Sequence, residues 1–349
     1  MALDKPLKVI HSRTPLRLND VGGWTDTWFA KQGKILNVAV APTVEVQIKA
    51  YKNKDHAEER VIIHAENYGE TFFVNPRKPS FAHHAFLQFT ISSIPIPEEW
   101  ILDIRLYSPV PASISTGTSA SVCVALLGAL NLLAGGGHSL EDLARLAHEV
   151  ETEKLKQQSG IQDQICAAHG GICYIEMYDY PQARIEKLNL DPATWNELDR
   201  RICLVYLGKP HNSSSIHEQV IANLEGRGPE HGQLDIMKRL AEDGKNALLN
   251  GDLESYGGIM IRNNECQRAM YSRLISPEAD HIAGIAKKHK ALGWKVNGAG
   301  GQGGSLTILA NADDSLRREM LQEINSLGEG IRSIPVRLSP TGLTAWEAR

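Results

Sequence analysis

An α+β protein of two domains is the fold the sequence predicts, and three observations predict it. The first hundred residues read mainly as short strands, longer helices take over after about residue 185, and no regular strand–helix–strand alternation joins them. A length of 349 residues allows about two domains at roughly 150 residues each. The shift in balance divides the chain into 1–185 and 186–349. No repeat of solenoid or propeller period, low-complexity tract or long linker interrupts either part.

The strands are expected at Leu7–Ile10, Leu16–Leu18, Ile35–Val40, Val44–Tyr51, Arg60–His64 and Thr71–Val74, all short and rich in β-branched residues. A helix is expected over His83–Ile94, and Trp100–Tyr107 alternates as a strand before the proline-rich turn Ser108–Pro111. Thr118–Leu133 is apolar on nearly every face and reads as a buried helix. Ser139 is an N-cap, with Glu141 and Asp142 in the first turn of a helix running to about Gln157. Helix is expected again over 161–168, before Gly170-Gly171 and a strand at Ile172–Glu176. Beyond residue 185, helices are expected near 213–225, 231–250, 253–272 and 277–290. Strands follow at Gly293–Val296, Leu306–Leu309 and Ile334–Leu338.

The composition is that of a globular protein: 42% hydrophobic, 22% charged and 6% aromatic. A formal charge of −4 is too balanced to advertise a nucleic-acid or anionic-membrane surface. Phosphate binding stays open, because backbone amides bind phosphate without a basic excess. Five cysteines stand apart with no Cys-x-x-Cys pair, which fits reduced thiols and argues against a cysteine zinc site. The first twenty residues carry no secretory apolar stretch, and the most apolar window, Val122–Ala134, falls short of the roughly 20 residues that span a bilayer. A soluble, cytoplasmic protein without nucleic-acid or membrane partners is expected; whether it is a monomer or a homodimer is open.

Four segments carry chemistry. In Pro109–Ser121, small and hydroxyl residues lead straight into the apolar helix, whose N-terminal amides and dipole suit an anion. Hydroxyls at Ser115, Thr116, Thr118, Ser119 and Ser121 could bond phosphate oxygens or ligate Mg²⁺, or simply serve a turn and an N-cap. Asn297–Gly304 is a glycine-rich loop between two strands, not the strand–helix context of a dinucleotide fingerprint. Asp163 stands near a helix start, where the dipole favours its ionised form. Arg13–Asp26 puts an arginine on a strand, then a Gly-Gly turn and Asp26.

In this order, the four segments resemble the GHMP kinases, the superfamily of galactokinase, homoserine kinase and mevalonate kinase, and within it the sugar kinases. Pro111–Ser121 is similar to the phosphate loop Pro-x-x-x-Gly-Leu-Gly-Ser-Ser-Ala, with Gly117, Ser119 and Ala120 matching. Ser115 stands where glycine is usual, Thr116 where leucine is usual, and Thr118 replaces the first serine. Gly298–Gly304 resembles the third motif, with Gln302 breaking the glycine run. Gly22-Gly23-Trp24-Thr25-Asp26 is closer to fucokinase and the D-glycero-D-manno-heptose 7-phosphate kinases than to galactokinase. Ile161–Gln164 with Gly170-Gly171, and Leu207-Gly208 with His211–Ser214, resemble those heptose kinases as well.

The resemblance implies the two-domain GHMP kinase fold: an N-terminal domain like domain 2 of ribosomal protein S5, and a ferredoxin-like α+β C-terminal domain. It implies ATP and Mg²⁺, and transfer of the γ-phosphoryl to a small-molecule sugar or sugar phosphate, at the anomeric hydroxyl. Phosphates would lie over Ser113, Ser115, Thr116, Gly117, Thr118, Ser119 and Ala120, with Ser119 and Glu151 holding the metal. Glu149 and Glu153 flank Glu151, which is the one the alignment selects. Asp163 would serve the acceptor hydroxyl as general base or as its orienting acceptor, with Arg17 paired to it. Gly22, Gly23, Trp24, Asp26, Gly300 and Gly301 would complete the substrate site, along with Arg17 and Asp163. The adenine pocket is expected around Asn67-Tyr68, and cations for a distal phosphate could come from Lys209, Arg262, Arg268 or Arg273. His83-His84 and His211 could approach a ligand, but exposed or capping histidines are the commoner case. A mevalonate- or homoserine-type kinase, or a nucleotide-binding regulator without turnover, are the alternatives.

Overall fold

The computed structural model describes residues 5–54, 56–111, 113–210, 218, 220–222, 224 and 231–348. The helix expected near 213–225, His211 and the motif at 211–214 lie outside or mostly outside the described residues.

Two strands dominate the first half: β1 (Lys8–Val21) and β2 (Gly33–Lys52), paired antiparallel. Each merges two of the expected short strands. The breaks in hydrophobic pattern at Pro15 and Asn19 are register shifts within β1 rather than strand ends. Proline has no N–H for the ladder. Beyond it the backbone turns to the phosphate-loop segment, Arg17 N–H bonding to Thr116 O at 2.9 Å. The sheet is completed by β3 (Val61–Ala65), β4 (Glu70–Val74), β5 (Trp100–Tyr107), β6 (Ile172–Asp179) and β7 (Gln182–Lys187). Its main path also takes in the last strand of the chain, β13 (Thr344–Glu347), against β1, while β12 (Arg337–Leu338) pairs with β2.

Helix α1 (Ala85–Ile91) is shorter than expected, starting after His84 in a left-handed conformation. Helix α2 (Thr118–Leu133) runs through the core with eleven buried residues, as its all-round apolarity requires. Its polar atoms are stapled to β1: Ser12 and Thr14 hydroxyls donate to Ala125 O and Ser121 O, and the Ser121 hydroxyl donates to Pro15 O. Helix α3 (Leu140–Glu149) has the capping box of Ser139 and Asp142 but stops short of Gln157, because Val150–Lys154 winds as a π-helical turn. Such turns re-aim side chains and recur at functional sites. Helix α4 (Gln162–His169) follows.

After α5 (Pro192–Arg201), a second sheet forms from β8 (Ile202–Leu207), β9 (Gly293–Val296), β10 (Ser305–Leu309) and β11 (Ile331–Ile334), in the order β11-β8-β10-β9, all antiparallel. That order, with helices between first and second and between third and fourth strands, is the ferredoxin-like arrangement. Helices α6 (His231–Leu249), α7 (Leu253–Met270), α8 (Pro277–Lys288) and α9 (Asp314–Asn325) supply its layers. One core cluster packs α8 and α9 on this sheet, while a larger one joins α6 and α7 to the first sheet. The expected strand Ile334–Leu338 is interrupted at Pro335-Val336, so its two ends belong to different sheets.

Candidate active site

The segments that carry chemistry converge on one cavity of about 330 Å³. Its walls include Arg17, Asp20, Trp24, Asp26, Trp28 and Phe29 from the β1–β2 region, and Ser115, Gly117 and Ser119 from the loop before α2. Glu151, Gln157, Ser159, Gly160, Gln162 and Asp163 come from the π turn and the start of α4, and Gly298 and Ala299 from the glycine-rich loop.

Asp163 lies at the centre. Arg17 binds it through both ends of the fork, Nε to Oδ1 at 2.7 Å and Nη2 to Oδ2 at 3.2 Å. A bidentate pair of this kind fixes orientation as well as charge. Gly117 is packed against the same carboxyl: a Cβ there would lie 3.1 Å from Asp163 Cγ, and φ is +66°. The carboxyl and the serine-and-threonine turn therefore touch, with the cavity opening between them.

The loop before α2 alternates into the left-handed region at Ser113, Ser115 and Gly117, with φ of 59°, 61° and 66°. Ser115 thus keeps the backbone shape for which related loops use glycine, and stores strain of a kind found at binding sites. Its hydroxyl is buried without a protein partner. Gly117 is the N-cap of α2 and contributes no side-chain cap, so the first amides of the helix are not closed off by one. These features make an anion cradle. Thr116 is fully buried and Ala120 nearly so; Thr116 holds Arg17 N–H rather than facing the cavity. Ser113 and Thr118 border a second cavity of about 310 Å³, shared with the first at Ser119 and Gln157 and lined further by Asn67, His84, Phe86 and Leu87.

Behind Arg17 stands a pair the sequence reading missed. Asp20 Oδ1 accepts from Arg17 Nη1 at 3.1 Å, from Lys295 Nζ at 3.0 Å and from Gly298 N–H at 3.0 Å. Burial opposes its charge, yet Lys295 and Arg17 hold Asp20 below the usual carboxylate range. Lys295 is fully buried and also donates to Val296 O at 2.7 Å. The chain Asp163–Arg17–Asp20–Lys295 ties the cavity floor to the second sheet. Nearby, Ser305 Oγ donates to Ile114 O at 2.6 Å, fastening the loop before α2 to β10.

Among the three carboxylates at 149, 151 and 153, Glu151 lines the cavity, while Glu149 is bound to Arg145. Glu151 Oε2 accepts from Ser159 Oγ at 2.6 Å and Gln164 Nε2 at 2.8 Å. Burial, with the charge of Asp163 adding to it, pushes Glu151 up to about 7. Asp26 accepts from Gln162 N–H at 3.2 Å, and burial pushes it up to about 6. Gly160 packs directly on it: a Cβ there would lie 2.1 Å from Asp26 Oδ2 and displace the carboxyl.

Gly22 and Gly23 shape the turn that delivers Trp24 and Asp26: a Cβ on Gly22 would strike Lys34 O at 2.0 Å, and Gly22 N–H binds Asn263 Oδ1 at 2.8 Å. Gly300 and Gly301 sit against Leu274 O rather than on the cavity wall, which that loop forms with Gly298 and Ala299. Lys209 and Arg268 are engaged with Glu278 and Asp280, and among the described residues Arg17 is the cation bordering the cavity.

Residues 89–171 match the family described as GHMP kinases N terminal domain. The chain is 24% identical over 327 residues to a bifunctional fucokinase/GDP-fucose pyrophosphorylase of Arabidopsis thaliana, of which it spans 31% while 88% of this chain is covered. It is 24% identical over 351 residues to a D-glycero-alpha-D-manno-heptose 7-phosphate kinase of Campylobacter jejuni, covering 94% of this chain and 99% of the relative. A mevalonate kinase of Pyrococcus horikoshii is 29% identical over 252 residues, 69% of this chain and 68% of the relative. Among solved structures, a D-glycero-D-manno-heptose 1-phosphate kinase of Bacteroides thetaiotaomicron superposes with a TM-score of 0.76 at 21% identity, over 97% of this chain and 99% of that one. Fold and motif order agree with that match: residues 89–171 carry a GHMP kinase N-terminal domain, and the whole chain takes the fold of the GHMP kinases.

Proposed function

We propose that this kinase phosphorylates a sugar or sugar phosphate, at the anomeric hydroxyl. The observation that carries the reading is the make-up of the cavity's far wall. Asp26, with the aromatic rings of Trp24, Trp28 and Phe29, faces the same space as Asp163. Buried carboxylate oxygens accept hydrogen bonds from hydroxyls, and aromatic faces suit the apolar faces of a sugar ring. The D-glycero-alpha-D-manno-heptose 7-phosphate kinase and the fucokinase-containing relative support the same substrate class.

In this reading the β- and γ-phosphates lie over the amides from Ser115 to Ser119, and the base occupies the second cavity beside Asn67. The acceptor oxygen forms its bond to the γ-phosphorus as the bond to the β-phosphate oxygen breaks, and the hydroxyl proton passes to Asp163. Arg17 offsets the charge that develops. Mg²⁺, when bound, would neutralise phosphate charge, and Ser119 with Glu151 fits it: a hydroxyl and a carboxylate that both line the cavity, with the phosphates supplying other ligands. The division at about residue 185, with the last strands returning to the first sheet, and a cytoplasmic setting are part of the proposal. Among the described residues no helix is long and apolar enough to cross a membrane.

Glu151 gives a test of the metal role. Its folded-state value of about 7 lies above the ordinary 4.5, so ionising it costs folding free energy that accrues as pH climbs between those values. Glu151→Gln is expected to raise the thermal stability of the free protein at pH 8, by up to about 3 kcal/mol, and to change it little at pH 4. The same variant should need more Mg²⁺ for half-maximal activity. Melting curves at both pH values and an Mg²⁺ titration of rate check the two effects.

Asp26 predicts a pH dependence. With its value at about 6, the carboxylate gains a proton as pH falls below 6 and loses acceptor capacity, so the acceptor KM should rise there. Asp26→Asn should abolish that rise.

The substrate itself is tested by following ADP release with free hexoses, pentoses, heptose 7-phosphate, mevalonate and homoserine. One sugar should reach kcat/KM above about 10⁴ M⁻¹s⁻¹, with the phosphorylated carbon identified by NMR as C1. Turnover of mevalonate alone would overturn the sugar reading.

A further inference from the structure

Outside the cavity, three metal-ligating side chains converge at the edge of the first sheet: Glu70, His83 and His84, their ligand atoms all within 4.8 Å of one another. Glu70 Oε2 lies 2.6 Å from His84 Nε2 and 3.5 Å from His83 Nε2. Around a tetrahedral zinc ion with ligand bonds near 2.0–2.1 Å, neighbouring donors stand about 3.3 Å apart. The two separations bracket that value.

The backbone builds this convergence. Side chains of adjacent residues ordinarily diverge, but His84 is left-handed, with φ 45° and ψ 46°, at the N-cap of α1. The two consecutive rings thereby meet edge to face, their centroids 4.2 Å apart. On β4, Glu70 and Phe72 are two residues apart and share a face. Phe72 stacks on His84 at 4.6 Å and meets His83 edge-on at 5.0 Å, so one ring buttresses both imidazoles against the carboxylate.

We infer that Glu70, His83 and His84 form a binding site for a borderline divalent transition-metal cation, of which Zn²⁺ is the type. Two imidazoles and one carboxylate suit zinc, cobalt or nickel rather than Mg²⁺, which prefers oxygen. Their half-exposed positions leave the remaining coordination places to water. His84 also lines the second cavity, next to Phe86 and Leu87. Occupancy would pin its imidazole at the cavity rim, where the proposed nucleotide base enters. This site is separate from the Ser119–Glu151 pair, and its existence does not depend on which acceptor the kinase uses.

The test is a Co²⁺ titration of the full chain, read by visible d–d absorption, followed by displacement with Zn²⁺; it requires no turnover. One equivalent is expected to bind without thiolate charge-transfer bands, since all five cysteines are buried elsewhere. His83→Ala and Glu70→Gln, both at exposed positions, should keep the parent's melting temperature, and each should weaken binding by roughly tenfold or more. Either folded variant suffices for the comparison. Absence of saturable binding, or an isotherm unchanged by the substitutions, overturns the inference.

Discussion

Asp163→Asn is expected to fold, to bind MgATP nearly as the parent does, and to lose kcat by roughly 10²- to 10⁴-fold, the range a positioned base contributes. The side chain is one of the cavity's central groups: Arg17 grips both of its oxygens, and Gly117 packs on its carboxyl carbon. The isosteric amide keeps the packing against Gly117 but can neither receive the proton of an acceptor hydroxyl nor offer two oxygens to the guanidinium. Nucleotide binding rests on the loop amides and the second cavity, which the substitution does not alter. Stopped-flow or steady-state rates, set beside a calorimetric MgATP titration, separate the two effects. A variant with near-normal kcat would remove Asp163 from the chemistry.

The second large effect starts behind the cavity, at a fully buried lysine. Lys295→Met leaves Asp20 buried without its main counter-charge, and breaking such a pair costs about 3–5 kcal/mol. Asp20 Oδ1 also anchors Arg17 Nη1 and Gly298 N–H, so with Arg17 as its one remaining counter-charge the carboxylate should draw Arg17 away from Asp163. The double variant Asp20→Asn with Lys295→Met removes the stranded charge and should recover much of the stability. It should not recover kcat, because a neutral amide at position 20 holds Arg17 more weakly than the carboxylate does. A purely structural role predicts instead that rate and stability return together. Chemical denaturation and kcat measured on both single variants and the double variant close the cycle.

What the residues disclosed, and what they hid, follows from where the information sits. The phosphate loop, the Gly-Gly-Trp-Thr-Asp turn, the helix entry at Asp163 and the glycine-rich loop are local patterns, and the structure places at least part of each around one cavity. The resemblance to the third motif puts Gly300 and Gly301 in the substrate site. The approach they make is to Leu274 O. Asp20 and Lys295 were missed because their meaning is a contact across 275 residues. A signal existed, in the single charge of the otherwise apolar Gly293-Trp294-Lys295-Val296 strand. Helix α5 had its own announcement in Asp191 as N-cap and Pro192 at the first position. Strand β7 had only a faint one: Ala183 and Ile185 alternate with exposed polar residues, too short a pattern to mark a strand before its pairing with β6 is seen. The merging of four short strands into β1 and β2 was hidden by bulges, which break periodicity without ending the ladder.

A crystal structure with a non-hydrolysable ATP analogue, Mg²⁺ and the preferred sugar measures directly where the reacting groups meet. The terminal phosphate is expected on the amides between Ser115 and Ser119, and the acceptor hydroxyl within hydrogen-bond reach of the Asp163 carboxylate. A nucleotide bound away from that loop, or a sugar whose hydroxyls all lie out of reach of Asp163, would contradict this placement.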